Sequence, residues 1–161
     1  MKLTIVAGAR PNFLKIAPLI RELDTVRSEG VDITYRLIHT GQHYDANLSR
    51  VFFDELGIPL PHANLNAGSG SQAVQTANIM IGFEQELMVN KPDLVIVVGD
   101  VNSTMACTIV AKKQRVKVAH IEAGIRSFDM TMPEEINRMV TDAIADYFFT
   151  TTETANENLM R

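Results

Sequence analysis

The residues of this chain best able to do chemistry are carboxylates and cations, and they recur where an apolar run ends. Asp100 follows the uninterrupted apolar run Leu94–Val98 and Gly99. His120 and Glu122 flank Ile121 at the end of another run, an alternation that predicts both side chains on the same side of a strand. Glu134 follows Pro133 at a helix start, with Asn137 and Arg138 continuing a polar ridge along that helix. Arg10 and Lys15 lie near another helix start, where a guanidinium fork and a point charge suit a phosphate or diphosphate. Carboxylates so displayed can take or give protons, and the cations can hold an anionic substrate. Each motif also has a plainer explanation. Asp100 could cap the next helix, worth about 1 kcal/mol. Glu134 and Arg138 could form a surface ion pair worth only tenths of a kcal/mol. His120 could be a satisfied core histidine, and Arg10 a solvated side chain.

What positions these residues is an alternation of short β-rich runs with helix-period segments, the pattern of βαβ units and a parallel sheet. Strands are expected near Lys2–Ala7, Ile33–Thr40, Leu94–Val98, Val116–Ile121 and Tyr147–Thr150, with a weaker one at Ala63–Asn66. After Pro133, the residues Ile136, Met139, Val140, Ala143 and Ile144 mark an amphipathic helix. Phe13, Ile16, Ala17, Ile20 and Leu23 mark the first helix, which Pro18 should kink or delay. Leu48, Val51, Phe52 and Leu56 mark another, stopped by Gly57 and Pro59. Ser71 is placed to cap a long helix through Ala77, Met80, Ile81, Leu87 and Met88. The segment from Glu153 to Arg161 reads as the start of a helix. The fold class is therefore α/β, a doubly wound Rossmann-like parallel sheet. In such a sheet the loops at Gly8–Pro11, Thr40–His43, Gly99–Asp100, His120–Gly124 and Thr150–Glu153 share one edge, the edge where ligands bind.

Several function classes are excluded or disfavoured. Arg10 and Pro11 occupy the close-approach positions of the first loop, so it lacks the G-x-G-x-x-G of nicotinamide and flavin sites. A net charge of -4 with scattered basic residues leaves no footprint for nucleic acid. No run is long enough for a membrane span, and the N-terminus reads as a strand rather than a signal peptide, which makes the cytoplasm the expected compartment. Cys107 lies in an apolar run and reads as a buried, inert thiol. His39 and His43 straddle a strand end without a third ligand, so no metal site is expected, and no serine or cysteine nucleophile constellation is present. At 161 residues the chain fits one domain.

Taken in order, Gly8-Ala9-Arg10-Pro11 with Lys15, Thr40-Gly41-Gln42-His43, Gly99-Asp100, His120-Ile121-Glu122-Ala123-Gly124-Ile125-Arg126-Ser127 and Met132-Pro133-Glu134-Glu135-Ile136-Asn137-Arg138 closely resemble the non-hydrolysing UDP-N-acetylglucosamine 2-epimerases. The resemblance runs essentially end to end. It implies a cofactor-free enzyme of two Rossmann-like domains, the glycosyltransferase-B architecture, acting on a UDP-sugar in the cleft between them, as a homodimer. On that reading residues 1–161 are the N-terminal domain. Asp100, Glu122 and Glu134 then match catalytic carboxylates, and Arg10, Lys15, Gln42, His43 and Arg138 match substrate-binding positions. A further catalytic histidine and most uridine-diphosphate contacts would lie in the second domain, without which the chain should not turn over substrate. Asn12 departs from the glutamate that the family's bacterial branch often carries after Arg-Pro, and the run Tyr44-Asp45-Ala46-Asn47 and Gly8-Ala9-Arg10-Pro11 are closer to a branch that includes epimerases of diacetamido-glucuronate sugar nucleotides. Two rivals stay open: the acceptor-holding half of a glycosyltransferase of the same architecture, and a non-catalytic module that binds a sugar nucleotide.

Overall fold

The computed structural model describes residues 1–41 and 50–161. The strands are β1 (Lys2–Ala7), β2 (Thr34–His39), β3 (Ala63–Asn64), β4 (Leu94–Val98), β5 (Lys117–Ile121) and β6 (Tyr147–Phe149). Between them run α1 (Arg10–Ser28), α2 (Arg50–Leu56), α3 (Gln72–Val89), α4 (Asn102–Lys113) and α5 (Pro133–Ile144), and α6 (Glu153–Leu159) follows β6. Among the described residues the sheet has six strands, in the order β3-β2-β1-β4-β5-β6. Every pairing between them is parallel. Strand order reverses between β1 and β4, so a crevice opens above their C-terminal ends.

Strand alternation feeds two cores. Ile5, Ala7, Ile96, Val98 and Ala119 meet Phe13, Ile16 and Ile20 of α1 and Phe52 and Phe53 of α2 on one face. Val6, Val95, Val97 and Val118 meet Ile79, Phe83 and Leu87 of α3 and Ala106, Cys107 and Val110 of α4 on the other. Helix α4 packs between α3 and α5. Cys107 is fully buried there, and burial pushes its thiol pKa well up, as its apolar run led one to expect.

The expected elements form, most within a residue or two of their sequence bounds. Helix α1 is helical from Arg10, and Pro18 does not delay it. Pro18 and Leu14, the residue whose carbonyl it leaves unbonded, both lie on the exposed side, where water can satisfy that carbonyl. The Ser71 hydroxyl caps α3 by accepting the Val74 N–H at 3.3 Å. Leu48 lies outside the described residues.

Two helix faces differ from the expectation. In α3 the buried row is Gln75, Ile79, Phe83 and Leu87, while Ile81 and Met88 are 57% and 74% exposed. In α5 the inversion is complete: Glu135, Asn137, Thr141 and Asp142 are buried, and Ile136 and Met139 are each 44% exposed. Periodicity locates an amphipathic helix but not which stripe faces inward. Here Glu135, Asn137 and Asp142 are inside because their partners are partly buried guanidinium groups, the His120 ring, backbone N–H groups and a carbonyl oxygen.

Candidate functional site

The turn Gly99–Asp100, at the C-terminal end of β4, is where the site residues meet. Gly99 adopts φ +71, and a Cβ added there would lie 3.4 Å from Glu122 Oε2, 3.5 Å from Asn12 Nδ2 and 3.7 Å from Lys15 Nζ. Glycine is needed both for the left-handed backbone and for that close approach. Asn12, only 3% exposed, ties the first loop to this turn. Its Oδ1 accepts the N–H groups of Gly8 (3.1 Å) and Ala9 (2.9 Å), and its Nδ2 donates to the Val98 carbonyl at 3.4 Å.

Asp100 does not cap α4. The cap position falls on Val101 with no side-chain hydrogen bond. Instead Arg138 grips the Asp100 carboxylate with Nη2 at 2.5 Å and Nε at 3.1 Å. Asn137 Nδ2 donates to the Asp100 carbonyl at 2.8 Å, so successive residues of α5 hold both the side chain and the backbone of this position. The remaining reach of Arg138 goes to Glu135 Oε2 at 2.8 Å, so the ion pairing of Arg138 runs to Asp100 and Glu135 rather than to Glu134. Glu135 is 1% exposed and also accepts the Ser127 N–H, the Ser127 hydroxyl and the Phe128 N–H. Burial alone would raise its pKa. The bonds from the Ser127 N–H, the Arg138 guanidinium, the Phe128 N–H and the Ser127 hydroxyl outweigh that and bring it down to about 2.

Glu122 and His120 do not project together, because Glu122 has left the strand at φ +70. Its N–H and that of Ala123 both bond the Phe149 carbonyl, at 2.9 and 3.1 Å, which holds a conformation that costs a non-glycine residue about 1 kcal/mol. The turn sends the Glu122 carboxylate to Lys15 of α1, Nζ to Oε2 at 2.6 Å. His120 points the other way, toward α5, with 0% exposure. Its Nδ1 lies 2.6 Å from Asp142 Oδ1 and its Nε2 lies 2.8 Å from the Gly99 carbonyl. Asp142 further accepts the Gly124 N–H at 3.0 Å and Arg126 Nη1 at 2.7 Å. Desolvation opposes its charge, but His120, Arg126 and the Gly124 N–H hold its carboxyl below the usual range.

Arg10 opens α1 exposed, its guanidinium over the Phe52 ring at 4.8 Å from the centroid. Glu134 lies in the first turn of α5, partly exposed, one helical turn before Arg138. Gln42 and His43 lie outside the described residues. Among the described residues no cluster of three or more His, Cys, Asp or Glu could hold a metal, and no helix is long and apolar enough to cross a membrane. Sequence reasoning did not single out Glu135, Asp142 or Asn12 as organisers of this region. The i, i+3 spacing of Glu135 and Arg138 was the one legible signal for the first.

A family model described as UDP-N-acetylglucosamine 2-epimerase matches residues 25–161. The chain belongs to this family. It is 48% identical over 161 residues to the UDP-N-acetylglucosamine 2-epimerase of Methanocaldococcus jannaschii, covering 100% of this chain and 43% of that protein. It is 42% identical over 159 residues to the UDP-2,3-diacetamido-2,3-dideoxy-D-glucuronate 2-epimerase of Pseudomonas aeruginosa, covering 99% of this chain and 44% of that one. The crystal structure of the M. jannaschii enzyme in complex with UDP-GlcNAc and UDP superposes with a TM-score of 0.93 over 100% of this chain and 43% of its own. That of the Neisseria meningitidis enzyme bound to UDP-GlcNAc gives 0.89 at 33% identity, over 99% of this chain and 42% of its own. The chain thus spans less than half the length of these family members. Membership accords with the resemblance in its motifs, and the Rossmann-like fold is shared across the family structures.

Proposed function

We propose that this chain is the N-terminal domain of a two-domain, cofactor-free enzyme that epimerises a UDP-N-acetylhexosamine at C2, converting UDP-GlcNAc to UDP-ManNAc. The observation that carries this is the convergence at one crevice of Asp100 and Glu122, each paired with a cation, with Gly99 between them. Glu134 opens α5 one turn before Arg138, and Arg10 lies at the start of α1.

The C2 proton of a hexosamine is weakly acidic, so its removal needs a positioned base and a departing group at C1. One carboxylate takes the C2 proton as the C1–O bond to the diphosphate breaks, giving 2-acetamidoglucal and UDP. The diphosphate then re-adds at C1, and a carboxylic acid returns a proton to the opposite face of C2. Asp100, Glu122 and Glu134 supply base, acid and stabilisation of positive character on the sugar. Arg10, Lys15, Arg138 and, from the family resemblance, Gln42 and His43 hold the substrate. Clustered carboxylates of this kind titrate as a group. A second domain closes the crevice and excludes water, so the 161-residue chain alone should fold without turning over substrate.

We further propose, from the family resemblance, that the full-length enzyme is a homodimer and that its second copy covers Ile136 and Met139, which α5 turns outward. Light scattering should then read a homodimer that Met139→Glu weakens. The single buried cysteine fits the reducing cytoplasm.

The test is to incubate the protein, at its full natural length, with UDP-GlcNAc in deuterated water and no acceptor. UDP-ManNAc carrying deuterium at C2 is the expected product. Unlabelled, unchanged sugar nucleotide that is consumed only when an acceptor is added would replace the proposal with a glycosyltransferase.

A further inference from the structure

We propose that His120 is a positioning residue for the reaction above: its Nε2–H clamps the Gly99 carbonyl and thereby sets where Asp100 and Glu122 present their carboxylates. The inference rests on the epimerase reading but on a different set of atoms. A carbonyl oxygen can only accept, so the 2.8 Å contact from Nε2 requires the proton on that nitrogen. Asp142, 2.6 Å from Nδ1, fixes the ring from behind. Asp142 is itself fixed by Arg126 and the Gly124 N–H. The ring is fully buried, so neither nitrogen can exchange its partner for water.

The clamp acts at the one residue that separates the two ion pairs. Gly99 precedes Asp100 in the chain, and its α-carbon faces Glu122 Oε2, Asn12 Nδ2 and Lys15 Nζ. The Gly99 N–H is spent on the Ile121 carbonyl at 3.0 Å, so the two backbone polar groups of this residue are tied, one to β5 and one to His120. Releasing the carbonyl lets the peptide plane between Gly99 and Asp100 rotate, which glycine at φ +71 resists poorly. A shift of an ångström there moves Asp100 relative to Glu122, and misplacement on that scale can cost about a hundredfold in rate.

Glutamine and asparagine separate this role from simple packing. The amide nitrogen of Gln overlays imidazole Nε2 and can still reach the Gly99 carbonyl, whereas that of Asn overlays Nδ1 and reaches only Asp142. In the full-length enzyme, His120→Gln should keep kcat within a few-fold of the parent. His120→Asn should lose about tenfold or more relative to it at nearly unchanged KM, with similar melting temperatures for the two variants. Equal turnover per folded molecule in the two variants would overturn the inference. Nitrogen-15 NMR of the unmutated protein supplies a readout that needs no folded variant: Nε2 of His120 should be protonated, and a bare Nε2 would overturn the clamp. An unmutated full-length enzyme that leaves UDP-GlcNAc unchanged would defeat the epimerase reading itself, whatever the NMR shows.

Discussion

The two ion pairs that flank Gly99 are built to different standards. Asp100 is 34% exposed at its side chain, but Arg138 is only 11% exposed and belongs to a buried assembly, with its second partner Glu135 at 1% and the adjacent Asn137 at 3%. Lys15 and Glu122 meet at 2.6 Å but keep side-chain exposures of 38% and 23%, and the neighbouring Arg10 is exposed. The α5 side is therefore set by the fold before any ligand arrives. On the α1 side Arg10 and Lys15 stay accessible, so Lys15 can exchange a carboxylate for a diphosphate at small cost. Preorganisation where charge must be held, and accessibility where an anion must enter, is what the proposed reaction asks of the two sides.

That contrast can be broken at its hinges. The largest effect is expected at Gly124, at φ +77, where an added Cβ would fall 2.2 Å from the Ala155 carbonyl oxygen. Backbone cannot move away as a flexible side chain can. Gly124→Ala should therefore cost more than about 4 kcal/mol, read as lost soluble protein or a collapsed denaturation midpoint. Next is Arg138→Met, which strands the buried Glu135 and frees Asp100, and should cost about 3–5 kcal/mol on chemical denaturation. The equivalent cut on the other side, Lys15→Met, should cost at most about 1 kcal/mol. Its effect should appear instead as a raised KM for the sugar nucleotide. Equal destabilisation by the two substitutions would erase the distinction between the sides.

The pH dependence sharpens the same contrast. Glu135 is lowered in the folded protein from 4.5 to about 2. A depressed carboxyl contributes stability that is fully present above its unfolded pKa and is lost as pH falls through the folded one. Denaturation midpoints should hold down to about pH 4.5 and then decline toward pH 2. Glu135→Gln should lower the plateau and flatten that decline. The smallest effect belongs to the exposed Arg27, paired with Asp24 at 2.9 Å, where Arg27→Gln should change stability by less than about 0.5 kcal/mol.

Element types and the parallel, doubly wound class of the sheet were legible because apolar runs and helix periods are strong signals; the strand order came from the structure. Leu94–Val98 was an apolar run throughout and is β4 with the same bounds. The convergence of polar loops at one edge followed from parallel topology alone. The face of α5 was not legible. Its apolar stripe is real, but a site that needs buried anions reverses the usual orientation, and hydrophobicity carries no sign for that. The path of Glu122 was hidden for another reason: a left-handed backbone at a non-glycine residue is imposed by the Phe149 carbonyl, a contact distant in sequence. Asp142 carried no signal in the sequence, because its partner His120 lies 22 positions away and only the fold brings the two together.

The most direct test of the account is the rate of solvent-deuterium entry at C2 of UDP-GlcNAc, compared among the full-length enzyme and its Asp100→Asn, Glu122→Gln and Glu134→Gln variants, each shown to be folded. The account predicts labelling by the parent and a loss of about a hundredfold or more in each variant. Labelling at near-parent rates by all of the variants would contradict it, returning these carboxylates to structural and surface roles.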